Sequence, residues 1–96
     1  MSSTLEFERL VIKGNEASQL INNPITKEIL SSIRQECFKG IEQSTPLQTH
    51  DREYFYKLLK VISKFEDKFE NVIYEGKRAR DKIEALKTNN LKQNKF

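Results

Sequence analysis

A single cysteine, Cys37, leaves no partner for an internal disulfide and excludes a metal cluster built from several thiolates. A single histidine, His50, leaves one imidazole for general-base chemistry, and its place beside Asp51 at an expected helix start suits capping or surface exposure better. Cys37 falls on an apolar stripe, where a core role suits it better than that of a nucleophile. The three glycines are scattered, so neither a phosphate loop nor a dinucleotide-binding motif occurs. No apolar run approaches the roughly 20 residues of a membrane span. Residues 1–9 lack the basic start and apolar stretch of a signal peptide. These absences lead to the expectation of a soluble, cytoplasmic protein that is not an enzyme, with no catalytic residues, no metal, no cofactor and no membrane partner.

What is abundant is helical periodicity. Phe55, Leu58, Ile62, Phe65, Phe69, Val72, Gly76, Ala79, Ile83 and Leu86 alternate in steps of three and four without a slip. An apolar residue every 3.5 positions keeps one stripe of a helix facing a partner. At about 1.5 Å per residue the seam runs close to 50 Å. Hydrophobic residues make up 36% of a 96-residue chain, so the core is thin and self-association is a physical expectation.

The stops along the chain divide it further. Ser3 and Glu6 have capping-box spacing and open a short helix through Leu5, Phe7, Leu10, Val11 and Ile12, which Gly14 closes. Asn15 caps a brief second turn carrying Ala17, Leu20 and Ile21. Asn23 as N-cap and Pro24 at the first helical position start the next helix, with Ile25, Ile29, Ile33, Cys37 and Ile41 at four-residue spacing and Leu30 and Phe38 widening the stripe. The break from Ser44 to Thr49, which holds the second of two prolines, forces an antiparallel return, and Thr49 or His50 opens the long helix. The expected fold is all-α: an antiparallel helical hairpin with a long heptad-patterned C-terminal helix and a short N-terminal helix. One domain covers residues 1–90, followed by a flexible basic tail over 91–96. Within the hairpin, Phe55, Leu58, Ile62 and Phe65 are expected to pack on Ile29, Ile33, Cys37 and Ile41.

A second helix of about 20 residues reaches only as far as Phe69 or Val72 on the long one. The remaining seam needs cover, part of it from the N-terminal helix and the rest from a second subunit, which makes Val72, Ile73, Gly76, Ala79, Ile83 and Leu86 the expected oligomer interface. Gly76 and Ala79 have two readings: a close crossing point for a neighbouring helix or a backbone site near a ligand, or a helix end or kink at Gly76 with Lys77 onward a less ordered extension.

Charge is unevenly placed. Residues 1–73 hold ten Lys or Arg against eleven Asp or Glu, whereas residues 74–96 hold seven against three. Lys77, Arg78, Arg80 and Lys82 crowd one turn and a half and form a candidate anion-binding cluster, with Lys87, Lys92 and Lys95 following. The competing reading is a solvated face on which Lys77 pairs with Asp81 and Arg80 with Glu84. Tyr54 and Tyr56 flank Phe55 and suit edge packing, or stacking on a base.

Taken together, Asn23-Pro24, the turn from Thr45 to Asp51, the Arg52-Glu53 opening and the late Gly76-Lys77-Arg78-Ala79 resemble a recurring type of short helical protein encoded by tailed bacteriophages. The resemblance covers roughly Glu16 to Arg80. It implies a viral origin only and lends no residue a role; for a phage-encoded chain the expected cytoplasm is that of the host cell. The expected function is that of a non-enzymatic oligomeric helical binding protein, a phage accessory or assembly factor, whose partners are itself and another phage or host protein. The alternative is a nucleic-acid or nucleotide binder using residues 77–82, in DNA packaging or in sequestering an anionic signal of host defence.

Overall fold

Asn23 accepts a hydrogen bond from the Ile25 backbone N–H at 2.8 Å, and Pro24 follows with its φ already set for a helix. That cap starts the second of three helices in a computed structural model that describes residues 2–93, with side chains over residues 4–89. The helices are α1 (Ser2–Ile21), α2 (Pro24–Gln43) and α3 (Thr49–Gln93), and no strand occurs among the described residues. The all-α fold and the long C-terminal helix are as expected from the sequence. α3 is still helical at residues 91–93, and residues 94–96 of the expected basic tail lie outside the described residues.

The chain forms two compact units. One pairs α2 with the first part of α3, up to Lys68; the other pairs α1, up to Gln19, with α3 from Phe69 onward. In the first, the turn is held by Arg52, whose guanidinium donates to the Thr45 and Pro46 carbonyls and to the Thr49 hydroxyl, while Gln48 N–H donates to the Thr45 carbonyl at 2.9 Å. Cys37 is 1% exposed and Ile62 6%, and these two form the buried centre of the hairpin. The inward face of α2 is Thr26, Leu30, Ile33, Cys37 and Gly40, in steps of four and three, and Ser44 caps the helix. Gly40 lies under the Phe55 ring, against which a Cβ would clash.

Two expectations for this hairpin need correction. Ile25 and Ile29 are exposed, because steps of four residues advance about 40° each around a helix with about 100° per residue, so a strict four-residue stripe winds away from Cys37. Phe65 is 48% exposed instead of buried in the core. The consequence is an apolar cavity of about 390 Å³ whose lining includes Ile29, Leu30, Ile33, Val61, Ile62 and Phe65.

The second unit corrects the reading of α1. The helix begins at Ser2, one residue before the expected cap at Ser3, whose side chain lies outside the described residues. It does not stop at Gly14, and no separate turn starts at Asn15. Phe7, Leu10, Gly14, Ala17 and Ile21 follow the same three-four alternation as α3, with Gly14, Ala17 and Ile21 buried. The roughly 1 kcal/mol that glycine costs inside a helix is offset here by the close approach that only a missing Cβ allows.

Candidate functional site

Gly14 and Gly76 meet backbone to backbone. A Cβ on Gly14 would lie 3.0 Å from the Gly76 Cα, and one on Gly76 would lie 2.9 Å from the Leu10 carbonyl oxygen. Ala17 and Ala79, each three residues further along its helix, are buried as well, so the crossing is made by two Gly-x-x-Ala segments. α3 passes through Gly76 without an end. A close crossing by a neighbouring helix is observed at this glycine, and α1 of the same chain is that helix.

This arrangement redistributes the residues expected at an oligomer interface. Gly76 and Ala79 are covered by α1; Val72, Ile73 and Ile83 are half-buried; Leu86 is 42% exposed. The seam beyond Ile83 is therefore the part that α1 leaves open.

The four cations do not converge on one patch. Residues three or four apart share a helix face, whereas adjacent ones diverge by about 100°. Lys77 and Arg80 line a pocket of about 210 Å³ on one side of the crossing, with Gly14, Asn15, Ser18 and Gly76 among its other walls. Arg78 and Lys82 line a separate pocket of about 160 Å³ on the other side, together with Glu75, Phe7, Leu10 and Ala79. Arg80 donates to Asn15 Oδ1 at 3.2 Å, and Arg78 stacks 5.8 Å from the Tyr74 ring centroid. Among the described residues, neither Lys77 nor Arg80 forms an ion pair with Asp81 or Glu84, so the helix-surface pairing expected for them is not made. Lys87 is exposed; the side chain of Lys92 and all of Lys95 lie outside the described residues.

Asn15 and Ser18 had no place in the expected anion site. The signal for them was present in the Leu10–Gly14–Ala17–Ile21 alternation, which puts them on the flank of a helix that continues through its glycine. The remaining candidates stand apart. His50 is exposed at the start of α3, and the Cys37 thiol is enclosed in the hairpin. Tyr54 packs edge-on against Phe55, with ring centroids 5.4 Å apart, and Lys60 sits 5.3 Å from the Tyr56 centroid. Among the described residues, no three His, Cys, Asp or Glu are grouped to hold a metal ion, and no helix is long and apolar enough to cross a membrane. No protein-family model matches the chain, and neither a curated protein nor a solved structure matches it.

Proposed function

We propose that the protein is a non-enzymatic helical binding protein that acts as a homo-oligomer, in an accessory or assembly role of a tailed bacteriophage. The observation that carries self-association is the apolar cavity of the hairpin: Ile29, Val61 and Phe65 line it and are exposed, beside an equally exposed Ile25. Among the described residues, thirteen large hydrophobic or tyrosine side chains are exposed, against five hydrophobic residues that are buried, and where such residues gather, as around this cavity, apolar surface marks an interaction site. A second copy offers the same face, and a two-fold pairing would cover both at once. The phage role rests on the resemblance of the segment from Glu16 to Arg80.

Sedimentation at micromolar concentration tests the reading. Ile29→Asp and Val61→Asp place charge at positions already exposed within one chain, so the fold should survive while the oligomer dissociates. Ile83→Asp is the companion variant: dissociation by Ile83→Asp alone would move the interface to the end of the seam. A monomeric wild type would sink the oligomer reading altogether.

A further inference from the structure

We infer that the pocket beside the Gly14–Gly76 crossing is a binding site for a small phosphorylated molecule. The crossing creates the concavity: with no Cβ at either glycine the two backbones touch, and the longer side chains on one flank stand around a pocket of about 210 Å³. Lys77 and Arg80 supply two positive charges to its wall, and no carboxylate lines it. Arginine contributes a planar fork that can hold two phosphate oxygens, and lysine a compact point charge, the pair of donors that suits a dianionic phosphate. Asn15 Oδ1 already accepts from Arg80 at 3.2 Å, which orients the guanidinium and leaves the Asn15 amide Nδ2 as a further donor. The opposite flank is different in kind, since Glu75 lines it and Arg78 is engaged with Tyr74.

The same geometry argues for a small ligand over a nucleic acid. The pocket is below the roughly 300–1,000 Å³ of sites for drug-sized molecules, room for a phosphate and part of what bears it. The basic residues are split between two flanks and do not form the continuous stripe that a phosphate backbone follows. This inference does not depend on self-association.

The test uses the full chain at low salt, with inorganic phosphate, adenosine 5′-monophosphate and a single-stranded oligonucleotide as probes, read by backbone amide NMR shifts and calorimetry. Phosphate and the nucleotide should shift the amides of Asn15, Ser18, Lys77 and Arg80 and compete with each other. Tighter binding of the nucleotide would assign the site to phosphate esters, and equal binding to the free anion. The double variant Lys77→Gln/Arg80→Gln should weaken binding by at least about tenfold, while Arg78→Gln/Lys82→Gln should change it by less than about twofold. Asn15→Asp sets a carboxylate against Arg80 without disturbing the glycine crossing, and should abolish binding in a chain that stays folded. Silence towards phosphate and nucleotide, equal loss in both double variants, retention of binding in Asn15→Asp, or binding of the oligonucleotide alone would each overturn the inference.

Discussion

The two helix pairings use glycine in opposite ways. At the α1–α3 crossing, glycine meets glycine and the backbones touch, with alanines completing a contact that needs almost no side-chain volume. In the α2–α3 hairpin, Gly40 faces the Phe55 ring, so a small residue on one helix receives a large one from the other. Interaxial distance follows the side chains at the contact. The backbone crossing is closed by groups that add almost no side-chain volume, while the hairpin depends on large side chains and leaves Ile29, Val61 and Phe65 uncovered along one edge. Glycine therefore brings two backbones together in one pairing and makes room for a ring in the other.

The sharpest way to break this contrast is to remove volume from the hairpin centre. Ile62 is 6% exposed, and Ile62→Ala should cost about 2–5 kcal/mol in chemical denaturation, as deletions at buried sites do. The same truncation cannot be made at Gly14 or Gly76, where the risk lies in adding atoms. Gly76→Val should cost about 1–3 kcal/mol, because its Cβ meets the rigid Leu10 carbonyl and the helices must part. Hydrogen exchange should show lost protection in α1 with α2 unchanged; unchanged α1 protection would mean that the crossing has room for the added side chain. Gly40→Ala is the counterpart. The atoms nearest its Cβ belong to the ring of a half-buried Phe55, which can swing aside, and the gain in helix propensity is about 1 kcal/mol, so its net effect should be the smaller of the two.

How much of this was legible in the sequence follows from the same residues. The start of α2 was readable because Asn23 and Pro24 carry their own local mechanism, and the turn because Pro46 and the residues around it interrupt both patterns. The long seam of α3 was readable because alternating steps of three and four stay in line along the helix. α1 was misjudged because an isolated glycine looks like a stop when only local propensity is weighed, and the partner that favours it, Gly76, lies 62 positions away. The stripe of α2 misled for a geometric reason: spacing of four resembles helical periodicity over two turns and drifts off the face over four. For the cations, nearness in sequence suggested one cluster where the helix sets Lys77 and Arg80 apart from Arg78 and Lys82.

Phe65 sharpens the comparison at a smaller scale. If it were buried, Phe65→Ala would cost about 3–5 kcal/mol. At 48% exposure within one chain, the loss should be nearer 1 kcal/mol when the protein is dilute and monomeric. A loss that grows with protein concentration would place Phe65 in the contact between copies. A concentration-independent loss of several kcal/mol would show that the ring is covered within its own chain.

The smallest expected effect belongs to the ion pair of the hairpin, between Arg34 on α2 and Glu66 on α3. The two side chains remain 33% and 31% exposed, so each keeps much of its hydration and the attraction is screened by salt. Such pairs contribute about 0–1 kcal/mol. A double-mutant cycle with Arg34→Gln and Glu66→Gln should give a coupling in that range that declines at high ionic strength, and it isolates the pair from whatever each side chain does alone. The pair joins the same two helices that line the apolar cavity, next to the position of Phe65. A coupling well above 1 kcal/mol, insensitive to salt, would mean that water is excluded from this edge in solution. Because the chain alone leaves both groups partly exposed, that result would point to a second copy seated over the cavity, and the coupling should then disappear in the Val61→Asp variant.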